Sequence, residues 1–391
     1  MIPVDETEVA DVVAGARAAR RPIAIVGGGT RAGLGRPVEA QIRLETRGLT
    51  GITLYEPSEL VISARAGTAL SEIEAVLAAK RQCLAFEPMD HRPLYGTRGE
   101  PTIGAVAACN ISGPRRIQAG AARDFLIGLR FVNGRGEIIK SGGRVMKNVT
   151  GLDLVRLQCG AHGTLGVLTE ASFKVLPAPK SSATLALHGL SDDAGVAALS
   201  AALGSPFHVS GATHLPAGIG ADEALTLLRL EGTEHSVRHR RDALIDLLAP
   251  NGGAEELPAE RAAALWRAIR DALFVAEPRE TAIWRLSVAP TSAPKIVAAL
   301  ADRIDIRHFY DWGGGLVWLA VAPGEDAQAG SIRAAIAGSG HATLVRAPQA
   351  IRAEADIFEP LSVPLMKLTA GIKTSFDPDR IINPGRMYTG I

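Results

Sequence analysis

Apolar residues at Val9, Val12, Val13 and Ala16 recur at helical spacing, which predicts a helix over Asp5 to Arg20. The apolar run PIAIV then reads as a buried strand entering the triplet Gly27, Gly28, Gly29. QIRLET alternates apolar and polar, Arg47-Gly48 turns the chain, and GITLYEP and LVISARAG supply two further strands. A helix follows from Ser71 to Lys80, with Ser71 and Glu74 as its capping pair. Four prolines, Pro88, Pro93, Pro101 and Pro114, make Phe86 to Gly120 loop-rich. FLIGLRFV and GEIIKSGG flank an Asn133-Gly134 turn as a hairpin, and GVLTEASFKVLP closes this part of the chain.

Pro177 and Pro179 mark a boundary, after which the pattern changes. Strand candidates TLALHGL, FHVSGAT and LTLLRLEG interleave with helices at about 192–203 and 236–248, and a further helix runs from Pro258 to Phe274. TAIWRLSVAP, SAPKIVAALAD, DIRHFYDW, GLVWLAV, a helix from about 326 and HATLVRA spell β-α-β-β-α-β, which the preceding segment nearly does too. Two such units predict one antiparallel sheet with helices on one face. The tail returns to Pro/Gly-rich text, FDPDRIINPGRMY.

The length of 391 residues suits two or three domains, with boundaries expected at 1–178, 179–356 and a tail at 357–391. A net charge of +1 without a basic cluster excludes a nucleic-acid partner. Cys83, Cys109 and Cys159 are too widely spaced for a disulfide framework, a zinc site or an iron–sulfur cluster, and imply a reducing, cytoplasmic setting. No apolar run is long enough for a transmembrane segment, and MIPVDETEVADVV lacks the layout of a signal peptide. Glycine is concentrated: 22 of the 42 fall within Gly27 to Glu170. That density means backbone pressed against something.

A dinucleotide-binding Rossmann turn would need a helix after the triplet. Thr30, Arg31, Ala32, Gly33, Leu34, Gly35, Arg36 and Pro37 cannot supply one, and the next element is a strand. Successive N–H groups in such a loop can still form an anion nest. GEPTIGAVAACNISG and GAHGTLGVLTEASFKVLP are two more glycine loops, and three of them suit a long, phosphate-bearing ligand.

VGGGTRAGLG, TIGAVAACNISGPRRIQAGAARD, VMKNVTGLDLVRLQCGAHGTLGVLTEASFKVLP, DWGGG and INPGRMY together resemble the vanillyl-alcohol oxidase / p-cresol methylhydroxylase flavoproteins. Within that superfamily the text is similar to the FAD-binding subunits of bacterial glycolate oxidases. The resemblance is dense through 22–178 and thin beyond. It implies an α+β fold: a two-part FAD-binding domain of the p-cresol methylhydroxylase type, an α+β cap with an antiparallel sheet, and a tail that rejoins the first domain. Gly27, Gly28, Gly29 and Thr30 would cradle the pyrophosphate. Thr102, Ile103 and Gly104 would run along its other side, Asn110 and Gly113 would lie nearer the flavin, and Gly166 and Val167 would meet it through backbone groups. Asn383 would approach the isoalloxazine ring. Lys147, Asn148 and Asp153 match the family text without an assigned role. Where many relatives carry a flavin-linking histidine this chain has Thr30, so the FAD should be noncovalent. Ala105 stands where relatives often have a second glycine.

A 2-hydroxy acid needs a cation for its carboxylate, and Arg285 shares a strand face with Ile283 and Ser287. It is the catalytic candidate; an arginine at a sheet edge or facing solvent is the alternative, and Arg279 is the weaker choice. His208 and His214, taken as one strand, would lie about 20 Å apart. His235 and His239 are surrounded by Arg238, Arg240 and Arg241. Neither pair suits a metal, and none is assigned. Trp266, Trp284, Trp312 and Trp318 suit a core, with the DWGGG bend at 311–315 the exception to watch. The resemblance implies a subunit that oxidises glycolate or a similar 2-hydroxy acid, beside a catalytic FAD-linked subunit and an iron–sulfur subunit. It would be cytoplasmic, reaching the inner membrane only through that complex. An assembly or electron-relay subunit and a stand-alone 2-hydroxy acid dehydrogenase remain as alternatives.

Overall fold

The computed structural model describes residues 1–143, 151–336, 338 and 340–391. The first helix, Glu6–Ala18, buries Val9, Val13 and Ala16 and is capped by Asp5, whose side chain accepts from the Glu8 N–H. It packs with Ile23, Leu44 and Ile382 in a small core. Ile23–Val26 pairs in parallel with Ile42–Glu45, and Ile382 forms a bridge beside Ile23, so the tail adds to this small sheet.

A five-stranded antiparallel sheet runs in the order Ile52–Glu56, Val61–Arg65, Val167–Lys174, Leu126–Val132, Ile138–Gly142. The strand expected to close this part is therefore last in sequence but central in space. The helix expected from Ser71 to Lys80 is Leu70–Ala79, with Ala69 as an uncapped N-cap. Ala69 is drawn into a bridge with Thr102, and the Leu70 N–H donates to the Pro101 carbonyl. This moves the start one residue forward and leaves Ser71 inside the first turn. The loop-rich stretch holds a short helix, Ile103–Cys109, whose Ile103, Val106 and Ala107 are buried. The hairpin loop spans Asn133 to Glu137, and its left-handed residue is Gly136 rather than Gly134.

The second part is one eight-stranded sheet. The order is Glu255–Glu256, Ser181–His188, Leu225–Gly232, Gly211–Leu215, Ile306–Asp311, Leu316–Val321, Ala282–Val288, Gly340–Arg346, and every pairing is antiparallel. Both halves are complete β-α-β-β-α-β units, the first closed by the two-residue strand Glu255–Glu256. His208 precedes the Gly211–Leu215 strand with φ of 49°, so it does not share a strand with His214. Helices cover both faces rather than one. Trp284 and Leu286 pack in a core with Ile296 and Ile332 from the helices Ala293–Ala301 and Ala329–Ile336. Helix Ala259–Arg270 lies on the other face, where its Trp266 joins Ile283 and Phe309 and the core of the five-stranded sheet.

The two halves meet through a single ladder pair, His214 with Tyr310. Asp192 reinforces that seam: its carboxylate accepts from His214 Nε2 at 3.2 Å, His308 Nε2 at 2.8 Å and the Tyr310 hydroxyl at 2.7 Å. Burial alone would push this carboxyl up, but the bonds from His214, His308 and Tyr310 hold it far below the usual range. Two bidentate pairs tie the sheet to the first part: Arg229 to Glu87 at 3.0 and 2.7 Å, and Arg115 to Glu231 at 2.9 and 2.7 Å.

Asp192→Ala is expected to lower the unfolding free energy by about 2–4 kcal/mol in urea titration. Because the folded-state pKa is depressed, the native contribution is full above the ordinary carboxylate value. It should be lost as pH falls below about 4, an acid dependence that the variant should lack.

Candidate functional site

A groove with a cavity of about 230 Å³ opens beside the strand Ile23–Val26. Gly27, Gly28, Gly29 and Thr30 line one wall, Gly104 and Ala105 a second, and Gly163, Gly166 and Asn383 a third. The glycines are needed for the walls to approach each other. A β-carbon on Gly28 would stand 1.6 Å from the Glu100 carbonyl oxygen, and one on Gly104 2.7 Å from the Ala66 carbonyl oxygen. Gly29 differs: its φ is 78° and nothing lies within 4 Å of its β-carbon position. That bend turns the loop toward the open groove.

The loop is rich in uncommitted donors. The backbone N–H groups of Gly28, Gly29, Thr30, Arg31 and Ala32 form no hydrogen bond among the described residues. The buried Arg31 side chain donates to His91 Nδ1 at 3.2 Å and the Met89 carbonyl at 3.2 Å, while its Nη1 has no partner among the described residues. Thr102 Oγ1 is likewise buried and, among the described residues, unpaired. Buried polar groups are normally paired, so such a cluster fits a ligand that brings acceptors, as a pyrophosphate does.

The other carried-over positions separate. The Ile103 and Gly104 N–H groups donate to Thr68 and Ala66 carbonyls, and the Ile103 side chain is core. Val167 is buried in the core beside the first helix. Asn383 lines the groove with its amide spent: Oδ1 accepts from the Ile25 N–H at 2.8 Å, and Nδ2 donates to the His162 and Gly163 carbonyls. Asp153 caps the helix Leu154–Gln158; Lys147 and Asn148 lie outside the described residues.

Asn110 and Gly113 line a second cavity of about 90 Å³, together with Arg285, Asp311, Trp312 and Trp318. Arg285 thus faces this cavity rather than a sheet edge. It has no hydrogen bond or anionic partner among the described residues, and its guanidinium lies 5.2 Å from the Trp312 ring centroid. Burial, and then Arg116, lower its pKa to about 10. Burial pushes the Asp311 carboxyl up to about 7, against bonds from the Trp312 N–H and Thr213 Oγ1. Asp311 caps the DWGGG bend, and Trp312 Nε1 donates to the Gly113 carbonyl at 3.1 Å. Trp266 and Trp284 are core residues whose indoles bond Thr184 and the Ala327 carbonyl.

Four side chains beyond those expected from the sequence bear on the site. His162 and Cys109 line both cavities. Arg31 was visible only as a residue after the triplet. Lys373 is buried in the tail, and its ammonium donates to the Thr164 carbonyl at 2.7 Å, the Ile382 carbonyl at 2.7 Å and Asp377 Oδ2 at 2.8 Å. The i, i+4 spacing of Lys373 and Asp377 was the available signal, as was a histidine set between Gly160 and Gly163.

Gly28→Val is expected to raise the dissociation constant for FAD at least about tenfold by flavin fluorescence, because the side chain meets main chain that cannot yield. Lys373→Met should lower unfolding free energy by about 3–5 kcal/mol, since it strands Asp377. It should weaken FAD retention in the same preparation.

The FAD binding domain family model matches residues 1–142. The glycolate oxidase subunit GlcE of Escherichia coli (strain K12) is 38% identical over 369 residues, spanning 94% of this chain and 93% of that protein. The glycolate oxidase subunit GlcD of Bacillus subtilis (strain 168) is 45% identical over 84 residues, 22% of this chain and 18% of that one. Among solved structures, substrate-bound p-cresol methylhydroxylase has a TM-score of 0.74 at 14% identity, covering 99% of this chain and 88% of that one, a likeness of fold. With the groove, the free donors and the near full-length match to GlcE taken together, the chain belongs to the GlcE family of FAD-binding glycolate oxidase subunits, built on the p-cresol methylhydroxylase fold.

Proposed function

We propose that this chain binds FAD noncovalently and oxidises glycolate, or a 2-hydroxy acid of similar size, as one subunit of a cytoplasmic complex with a second flavin subunit and an iron–sulfur subunit. Arg285 is the observation that carries the reading. Among the described residues it is a cation without an anionic partner, facing a cavity of about 90 Å³ that adjoins the groove. A planar guanidinium binds a carboxylate bidentately, and the wall of Trp312, Trp318 and Phe358 leaves room for a short acid only. Burial and Arg116 both disfavour its charge, so an incoming carboxylate relieves an existing electrostatic cost.

Gly27 to Thr30, with the Gly28 to Ala32 N–H groups and Arg31, would hold the pyrophosphate; Thr102 and Gly104 would face it across the groove. Asn383 fixes the His162–Gly163 turn against Ile25 where it lines the groove. Thr30 offers no nucleophile of the kind that links flavin to histidine, which supports noncovalent binding. Bound FAD supplies a two-electron acceptor. Arg285 orients the acid by its carboxylate, and the tryptophan wall excludes water. The relatives' names as subunits support the complex, as do three dispersed cysteines unsuited to a cluster. No helix among the described residues is long and apolar enough to cross a membrane.

Anaerobic glycolate should bleach the flavin absorbance of the FAD-loaded chain. FAD that binds but stays oxidised would make the chain a relay or assembly subunit, and a chain unable to take up flavin would end the proposal. Arg285→Met should raise the glycolate concentration needed for half-maximal reduction about 100-fold, equivalent to about 3 kcal/mol, without altering FAD content.

A further inference from the structure

His162 stands at the neck between the groove and the small cavity, the one histidine among the described residues to line both. Its backbone is fixed from two sides. The N–H donates to the Ala108 carbonyl at 2.8 Å, and the carbonyl accepts from Asn383 Nδ2 at 3.1 Å. Its φ is 53°, a left-handed conformation that its neighbours Gly160 and Gly163 adopt without a side chain. Holding a β-carbon there costs about 1–2 kcal/mol, and such strain concentrates at functional sites. The ring is wedged edge-on against Phe358, with centroids 4.9 Å apart.

The imidazole nitrogens are uncommitted among the described residues. Neither nitrogen forms a hydrogen bond among the described residues, and Nδ1 is enclosed. Burial, then Arg386 from the tail and Arg285 from the sheet, lower its pKa to about 3, so the ring is neutral and keeps a free lone pair. Cys109, the other group at the neck, has its thiol pushed up by burial and stays protonated. In the small cavity, His91 Nδ1 already accepts from Arg31, Arg270 is paired with Asp271, and Asp311 Oδ1 is held by Thr213 and the Trp312 N–H.

We infer that His162 is the catalytic base that accepts the hydroxyl proton of the 2-hydroxy acid held by Arg285. The inference rests on the proposed oxidation and supplies the proton acceptor that it lacks. The O–H bond breaks with its proton passing to the imidazole. The C2–H bond breaks with its electron pair leaving as hydride to FAD, and the C2–O bond becomes a carbonyl. The substrate is oxidised by two electrons, FAD is reduced by two, and the imidazolium returns its proton to solvent. The substrate carboxylate also offsets the Arg285 charge that suppresses imidazole basicity, so His162 becomes a stronger base when substrate is in place.

The test uses the full FAD-loaded chain, native and as His162→Gln, His162→Gly and Asp311→Asn. His162→Gln should keep its FAD content and bind glycolate within about threefold of native, while anaerobic flavin reduction slows at least about 100-fold. Added imidazole should restore reduction in His162→Gly, where glycine suits the left-handed backbone. Independently of turnover, nitrogen-15 NMR of labelled histidine in the oxidised chain should show a neutral His162 at pH 7. Oxalate, which carries the carboxylate but no C–H bond, should raise its titration point, and Arg285→Met should abolish that response. Native-rate reduction by His162→Gln overturns the assignment, as does an imidazole indifferent to oxalate. If His162→Gln stays active while Asp311→Asn is slow, the role belongs to Asp311. A native chain that glycolate does not reduce ends the parent reading and this one together, whereas the variant results under an active native chain end this one alone.

Discussion

A lysine ammonium can be buried only if each of its protons finds an acceptor. Lys373 is 1% exposed and meets that condition with the Thr164 carbonyl, the Ile382 carbonyl and Asp377 Oδ2. Asp377 in turn accepts from the Ile381 and Ile382 N–H groups. One fully paired ion pair therefore joins the tail helix Val363–Phe376, the returning strand beside Ile23 and the turn that carries Gly163 and Gly166. Those segments form one wall of the groove, and the position of Asn383 and His162 follows from them.

The opposite wall obeys a steric rule. Gly28 and Gly99 let two loops meet main chain to main chain and Gly27 meets the Thr102 side chain, while Gly29 alone of the triplet has nothing within 4 Å of its β-carbon position. The glycine excess thus brings walls close enough to enclose a long ligand, and the anion-binding capacity comes from the N–H groups that this close approach leaves unpaired. The second sheet is seated against the first part by Arg229, Arg115, Glu87 and Glu231, and by Trp312 reaching Gly113. This seating brings Arg285, from the cap sheet, to a cavity whose other side belongs to the first part.

Elements whose signals are local were legible in the sequence. Leu225–Gly232 and Asp192–Leu203 match their expected spans because alternation and helical spacing are unbroken there. The Ser71 cap failed because a distant residue, Thr102, sets the start of that helix. Glu255–Glu256 is two residues long and too short to carry a pattern. The face covered by Ala259–Arg270 was unreadable, since an amphipathic helix specifies that it packs but not against which side of a sheet. In the site, Gly27 to Thr30, Gly104, Gly166 and Arg285 were visible from motif text and strand alternation; Ile103 and Val167 carried motif text but spend their side chains in the core.

By itself the sequence determined the kind of fold, the ligand class and the strand face on which Arg285 sits, because glycine placement and apolar periodicity are properties of short stretches. Only the tertiary structure decided which polar groups remain free. The amide of Asn383 is spent on Ile25, His162 and Gly163, residues more than 200 positions away, while the side chains of His162, Arg285 and Thr102 form no hydrogen bond among the described residues. Hydrogen-bond satisfaction is settled by whichever chain segments arrive nearby, so chemistry at this site depends on contacts that no local pattern records.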